Sequence, residues 1–308
     1  MDESRGDYTP VTALGASAAK DRGAPLSLLT WNCFGAAMGV VSLLRWKGAA
    51  DHLRLAHPDV LSTLGASDVV CMQEVFLEEA EALFDSLAHP HKVRELNHNT
   101  LRPLTVGGSG LAIASRLPFQ QHVIRAFAKP QVGSERLARK GSLHATVTMT
   151  DGNALHIATT HMQSGYSEQA GRVRIQQLRE LRAVVDSVPH EETFLLCGDF
   201  NVCGLSPRRG LREYAALHEL FADFVDVGAE ADEPTFDPRP RAPGRRSNHL
   251  ARRFEPTAAH QRVDYVLFRA GRSALRVKEV SLVFTEPLVI GGRTTHPSDH
   301  YAVRVQLG

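Results

Sequence analysis

The sequence predicts an α/β fold in which two β-sheets pack together. Three observations predict it. About ten short apolar runs recur along the chain, enough strands for two sheets. These runs alternate with helical or irregular stretches. And the chain has 308 residues, 43% hydrophobic and 22% charged, so it can bury a large core without disulfides and is not disordered over most of its length.

Taken in order, residues 1–25 are rich in Gly, Ala, Ser, Thr and charge and show no period, which predicts a flexible leader ahead of a single domain over 26–308. Leu26–Cys33 (LSLLTWNC) is the first strand. A short helix, Ala49–His57, is expected to stop before Pro58. Strands follow at Asp68–Glu74, Gly110–Arg116, Gly141–Met149 and Ala154–Met162. Glu168–Val188 reads as a long helix, with Val173, Leu178, Leu181 and Val185 at helical spacing and Pro189 closing it. Phe194–Asn201, Phe224–Val227, Arg262–Arg269, Leu275–Phe284 and Tyr301–Leu307 complete the strands. Ala229–Gln261 stands apart. It is rich in Pro and Arg, with Arg239, Arg241, Arg245, Arg246, Arg252 and Arg253 close together. By itself it reads as a solvated surface loop; the functional reading is a basic rim beside an anionic substrate or membrane headgroups.

Composition narrows the function classes. Thirty-five basic and 34 acidic residues leave a net charge of +1, without the basic excess usual in proteins that grip long nucleic acid. Four cysteines make no disulfide framework: Cys33, Cys71 and Cys197 sit in strand-like runs, and Cys197 and Cys203 match no zinc spacing. The opening MDESRGDYTP is not a Sec-type leader, and no apolar run approaches the ~20 residues of a membrane span. The expected compartment is cytoplasmic, export without a leader being compatible with the same sequence.

Chemistry concentrates where the apolar runs end. Asn32 ends the first, Glu74 the second, His161 lies near the end of the fifth, and Asp199 and Asn201 close the sixth. Asp264 sits in RVDYVLF, and Asp299 and His300 precede the last strand. Any one of these is ordinarily a turn cap. Together, on one rim, they would form a single pocket. Glu74 with Asn32 offers hard oxygen ligands, suited to Mg²⁺ rather than zinc. The sequence has no HExxH, no GxSxG and no GxxxxGK[ST]. A cation on a carboxylate with acids, amides and two histidines fits metal-assisted attack of water on a phosphoester.

Six ordered blocks carry a resemblance: QEV at Gln73–Val75, SGLAIASRLP at Ser109–Pro118, TTHMQ at Thr159–Gln163, GDFN at Gly198–Asn201, RVDYVLF at Arg262–Phe268 and SDHYAV at Ser298–Val303. From about Leu26 to Leu307 the chain resembles the endonuclease/exonuclease/phosphatase superfamily of Mg²⁺-dependent phosphoesterases. RKG at Arg139–Gly141, THMQ, Arg172 with Gln176, TFDP at Thr235–Pro238 and NHL at Asn248–Leu250 are similar to its neutral sphingomyelinase branch. The resemblance implies a four-layer α/β sandwich, two central mixed β-sheets flanked by helices, with the site at one rim. It implies Glu74 as principal metal ligand assisted by Asn32, with Asp299 near the metal through water. It implies Mg²⁺ as cofactor, with Mn²⁺ or Co²⁺ as substitutes. It further implies that Asp199 and Asn201 position water and phosphate, that His161 contacts a phosphate oxygen, and that His300, oriented by Asp264, is general base or electrophilic partner. Either Asp199 or His300 takes the proton. One departure is visible: between Arg102 and Arg116 no side chain titrates, so support for His161 comes from elsewhere.

The activity expected is that of a phosphodiesterase, sphingomyelinase C-like, converting sphingomyelin to ceramide and phosphocholine. Peripheral membrane contact would use the apolar stretch Phe34–Val41 with Leu43, Leu44 and Trp46. The alternatives are a nuclease or a small-metabolite or inositol-phosphate phosphatase on the same site, and a catalytically silent binding domain, which the presence of all eight site residues disfavours.

Overall fold

The computed structural model describes residues 26–35, 50–95, 108–128, 131–133, 135, 139–149, 151–206, 211–240, 247–290 and 292–308. The expected leader and nearly all of the apolar stretch 34–46 lie outside them. One six-stranded sheet contains β1 (Leu26–Gly35), β2 (Val69–Val75), β3 (His91–Arg94), β4 (Ala112–Ser115), β11 (Val277–Val283) and β14 (Ala302–Leu307), in the spatial order β11-β14-β1-β2-β4-β3. The other contains β5 (Phe119–Ala126), β6 (Gly141–Thr148), β7 (Ala154–His161), β8 (Thr193–Asp199), β9 (Val225–Asp226) and β10 (Asp264–Arg269), in the order β5-β6-β7-β8-β10-β9. Each sheet is mixed: β1–β2 and β7–β8 are parallel and their neighbours antiparallel. A separate hairpin pairs β12 (Leu288–Ile290) with β13 (Arg293–Thr295).

Side chains alternate along β1, and the alternation builds the layers. Leu28 faces the other sheet and packs with Val69, Cys71, Ile157, Leu195 and Val303. Leu29, Trp31 and Cys33 face outward against α1 (Pro58–Gly65) and α2 (Glu78–Ser86). On the far side Phe194 and Leu196 pack beneath α3 (Glu168–Asp186) and α4 (Arg212–Leu220). The result is helices, sheet, sheet, helices. Truncating Leu28 or Leu195, both fully buried, to Ala would cost about 2–5 kcal/mol.

Toward the site the inter-sheet face turns polar. Gln73 Nε2 donates to Thr30 Oγ1 at 3.1 Å and to Thr159 Oγ1 at 2.8 Å. One amide thus ties β1, β2 and β7 together across the sandwich. Gly198, at φ 127°, sits where a Cβ would lie 2.1 Å from the Thr160 oxygen. The glycine is what lets β7 and β8 approach at the edge of the site.

The expected elements differ in instructive places. The segment before Pro58 is a 3₁₀-helix, Ala50–Ala56. Pro58 opens α1 rather than stopping a helix, because its missing N–H costs nothing at the first helical position, and the His57 side chain accepts from Asp59 N. β5 (FQQHVIRA) lies at a sheet edge and has a largely solvated, polar face, so it carries little apolar signal. Ala229–Gln261 is not a solvated loop throughout. It contains α5 (His249–Phe254), capped by Asn248 Oδ1, and it buries Thr235, Phe236, Asp237, Ser247 and Asn248. Arg239, Arg252 and Arg253 are exposed; Arg241, Arg245 and Arg246 lie outside the described residues.

Candidate active site

The C-terminal ends of β1, β2, β7 and β8 and the starts of β10 and β14 share one rim. Register places His161 beside Asp199 and Asp199 beside Asp264. All eight residues expected at the site meet there. Asn32 Nδ2 donates to Glu74 Oε1 at 3.1 Å and to Asp199 Oδ2 at 3.0 Å. Asp199 Oδ1 accepts from Asn201 N at 2.9 Å. His161 Nε2 lies 3.4 Å from Asp199 Oδ2 and 3.8 Å from Glu74 Oε1. His300 Nδ1 bonds Asp264 Oδ2 at 2.8 Å, and its Nε2 faces Asp199 Oδ2 at 3.8 Å. Asp299 Oδ1 accepts from Ser298 Oγ, which also bonds the Asn32 carbonyl.

Three of these turns hold non-glycine residues in the left-handed region: Phe34 at φ 51°, Glu74 at 59° and Asn201 at 53°. Such conformations cost on the order of 1–3 kcal/mol and persist where the surroundings over-determine them. The surroundings do so here. Buried Arg54 holds the Cys33, Phe34 and Pro297 carbonyls, and Asn32 Oδ1 accepts from Phe34 N.

Sequence reasoning missed several supporting residues. Lys140, buried at 3% exposure, places Nζ 2.8 Å from His161 Nε2 and 2.7 Å from Glu135 Oε2. This is the support for His161 that residues 102–116 could not supply. Its signal was the RKG motif, with two adjacent basic residues directly before a strand. His161 Nδ1 has no hydrogen-bond partner among the described residues. Thr235 Oγ1 accepts from both Val263 N and Asp264 N, and the Thr235 carbonyl accepts from Tyr301 N. The TFDP segment therefore fixes the backbone on both sides of the Asp264–His300 pair. Asn248 Nδ2 donates to the Ser298 carbonyl. Near the THMQ turn, Arg172 and Gln176 face solvent; Arg174 holds the Gln163 and Gly165 carbonyls and Gln177 accepts from Gln163 N.

The electrostatics separate the groups. Burial and the like charge of Asp299 push Glu74 up to about 7, against the pull of Lys140 and Asn32. Burial raises Asp199 to about 6 and also raises Asp299. Burial, with Lys140 and His300 adding to it, drives His161 well below its usual range, so it is neutral. Burial opposes charge on His300 too, but Asp264, Asp299 and Asp199 outweigh it and hold the imidazole protonated.

The donor set suits a hard cation. Burial and a neighbouring acid raise the Glu74 carboxyl, and a divalent ion would displace the proton it takes up. Asn32 turns its Nδ2 to the carboxylates, so its oxygen would ligate only after the amide rotates away from Phe34 N. Asp199, Asp264 and His300 form a second group whose ligand atoms lie within 4.8 Å of one another.

A family model described as the Endonuclease/Exonuclease/phosphatase family matches residues 29–300. The chain belongs to this family. Membership places it among metal-dependent phosphoester hydrolases, and the two mixed sheets between helices are the four-layer sandwich the sequence led us to expect. Sphingomyelin phosphodiesterase 5 of Danio rerio is 25% identical over 300 residues, covering 78% of this chain and 53% of that protein. The chain thus spans about half the length of this curated relative. Among solved structures, sphingomyelinase C from Streptomyces griseocarneus superposes with a TM-score of 0.67 at 23% identity, covering 92% of this chain and 99% of that one. D. rerio TDP2 complexed with a single-strand DNA product gives a TM-score of 0.67 at 20% identity, with 92% and 99% covered. These two likenesses establish the fold and do not choose between lipid and nucleic acid.

Proposed function

We propose that the protein is a Mg²⁺-dependent phosphodiesterase of the sphingomyelinase C type, cleaving sphingomyelin to ceramide and phosphocholine. The observation that carries the lipid reading is the rim. Leu53 (51% exposed), Phe254 (37%) and Val289 (67%) stand on the 3₁₀-helix, α5 and the β12–β13 hairpin. The first two elements hold the Pro297–Ser298 turn directly through Arg54 and Asn248. Exposed Arg252 and Arg253 lie beside Phe254. Apolar side chains interleaved with arginine suit a headgroup boundary. A nuclease tracking a strand would need a continuous basic path, and the near-neutral chain charge of +1 offers little toward one. No described helix is long and apolar enough to cross a membrane, so contact would be peripheral. The relationship to a sphingomyelin phosphodiesterase supports the same substrate.

In this reading Glu74, with the Asp299 charge near it, would hold the cation. The ion would supply charge neutralisation at the phosphate and at the leaving oxygen. The rest is done by the chain's own side chains. Asp199, with Oδ1 pinned by Asn201 N, presents Oδ2 to the attacking water and accepts its proton. Protonated His300, fixed by Asp264, directs Nε2 at the phosphate as a hydrogen-bond donor. Neutral His161, backed by the Lys140 ammonium, holds a further phosphate oxygen. The deciding experiment measures phosphocholine release from sphingomyelin vesicles against cleavage of single-stranded and plasmid DNA, both with Mg²⁺ and with His300→Ala as the blank. Vesicle hydrolysis that His300→Ala abolishes is expected. DNA cleavage in its place would transfer the assignment to a nuclease.

A further inference from the structure

Arg54 comes from the 3₁₀-helix Ala50–Ala56, away from the strand ends that carry the reacting groups, yet it is shut inside the protein at 2% exposure. Its guanidinium reaches two turns at once. Nη1 donates to the Cys33 carbonyl at 2.7 Å and to the Pro297 carbonyl, and Nη2 donates to the Phe34 carbonyl. The first turn follows Asn32. It carries the left-handed Phe34, whose N–H is held by Asn32 Oδ1. Its last residue, Gly35, accepts from Leu77 N at 2.7 Å, and a Cβ on Gly35 would lie 2.5 Å from the Glu74 carbonyl oxygen. A shift of this turn therefore carries Asn32 and Glu74 with it. The second turn leads from Pro297 into Asp299 and His300. Ser298 Oγ makes the other link between the two turns, to the Asn32 carbonyl at 2.6 Å.

We propose that Arg54 is a positioning residue for phosphodiester hydrolysis: it sets the spacing between the Asn32–Glu74 end of the site and the Asp299–His300 end. The backbone explains why a donor is needed there. The pairing of β1 with β2 shifts register between Asn32 and Gly35, so the Cys33 and Phe34 carbonyls fall where the ladder is interrupted, and buried carbonyls must find donors elsewhere. Three acceptors from two turns around one side chain match the planar fork of a guanidinium, which a flexible ammonium does not reproduce. A residue that only filled this space would need no charge, and a buried charge is costly to desolvate. The fork holds the cation-side groups and His300 in one frame, and a misplacement of about 1 Å in such a frame costs on the order of 10²-fold in rate. The proposal rests on the phosphodiesterase activity alone and holds for a lipid or a nucleic acid substrate.

The test uses the full chain and two variants, Arg54→Lys and Arg54→Ala. Rates are measured on whichever of sphingomyelin vesicles or DNA the wild type cleaves, and Mg²⁺ binding is titrated by calorimetry without substrate. Arg54→Lys keeps the charge and loses the fork. It is expected to lower kcat by about 10²-fold with KM little changed, and to weaken Mg²⁺ by about tenfold or more. Arg54→Ala leaves a space of guanidinium shape. Added methylguanidinium should raise its kcat by about tenfold or more, and methylammonium at the same concentration should not. Circular dichroism gives the folded fraction of each variant. The proposal is overturned by wild-type kcat and Mg²⁺ affinity in Arg54→Lys, or by methylguanidinium rescue that is absent or no greater than that by methylammonium. It is equally overturned by losses that follow the folded fraction, failure of both variants to fold included, which would make Arg54 a structural residue. A wild type that cleaved neither substrate would sink the phosphodiesterase reading, while the Mg²⁺ titration would still report whether Arg54 holds the cation-side groups in place.

Discussion

The Asn32 amide nitrogen joins two carboxylates from opposite sheets, 3.1 Å from Glu74 Oε1 and 3.0 Å from Asp199 Oδ2. It is the polar stitch that holds an expected metal ligand and an expected water-positioning acid at one spacing. Replacing it with Asp would put a third carboxylate where a donor stood. Asn32→Asp should therefore lower kcat by about 10²-fold or more, the scale of losing a positioned donor, and lower the Mg²⁺ concentration needed for half-maximal rate, because a third carboxylate adds negative charge beside the cation. Asn32→Ala should lose a similar rate without that tighter metal requirement. Equal kinetics in wild type and Asn32→Asp would refute the role.

Lys140 is buried between His161 and Glu135. A buried ammonium between a carboxylate and an imidazole is expensive to desolvate, and it adds to the burial that keeps His161 neutral. Lys140→Met should reduce kcat/KM by about 10²-fold or more, because the phosphate loses both the cation and an oriented His161. Lys140→Arg should recover only part, since a planar guanidinium does not fit an ammonium's position. Circular dichroism and the unfolding midpoint separate this from a folding defect; near-wild-type kinetics in Lys140→Met would remove Lys140 from the site.

Asp264 and Thr235 test whether His300 is positioned or merely present. Asp264→Asn keeps the shape but offers the imidazole an amide in place of a charge, so His300 loses its largest favourable partner. The rate should fall by about 10²–10⁴-fold, and the pH–rate profile should shift toward acid. Thr235→Val keeps volume while orphaning the Val263 and Asp264 amides. It should lower kcat with little change in KM, and Thr235→Ser should restore the rate. A Thr235→Val loss that appears only in stability would make the residue structural.

The rim was legible because its residues are polar positions at the ends of apolar runs: Asn32, Glu74 and Asp199 close strands and Asp264 opens one. Order along the chain did the rest. What supports the rim was not legible. Lys140 and Thr235 act through contacts 21 and 29 residues distant in sequence, to His161 and Asp264; the RKG and TFDP motifs mark their positions, but nothing local says which side chain in each motif supports the site. Two of the four edge strands were illegible for another reason: β5 and β3 bury few side chains, so solvent erases the alternation that reveals β1. The Pro/Arg-rich segment misled because composition reports the exposed Arg252 and Arg253 and is silent about buried Asn248 and Thr235.

Glu74 should trade stability for metal binding. In the protein without cation its carboxyl is raised from 4.5 to about 7 by burial and by Asp299. Between those values the native state holds more protons than the unfolded chain, so stability falls as pH rises through that window and stays lower above it. Glu74→Gln removes this cost. In EDTA at pH 8 the variant should melt above wild type; with saturating Mg²⁺ the order should reverse, because only wild type gains binding free energy. A variant that melts lower under both conditions would contradict the assignment of Glu74 as the cation's anchor.

The acid limb of stability should be set in part far from the rim. On the outer face of the second sheet, His144 Nε2 meets His156 Nδ1 at 3.1 Å, His156 Nε2 pairs with Glu192, and the His144 ring stacks on Phe194. Burial, then the neighbouring His156 and Arg125, lowers His144 from 6.5 to about 3. The native protein therefore keeps it neutral while the unfolded chain protonates it. Between pH 6.5 and about 3 the unfolded state binds more protons, so stability falls as pH falls through that window. His144→Phe keeps a flat ring against Phe194 and removes the titration. Urea unfolding midpoints at pH 7 and pH 4.5 should differ less in the variant than in wild type. If both proteins lose the same amount of stability between the two pH values, the acid sensitivity arises elsewhere and the neutral state of His144 is not what folding selects.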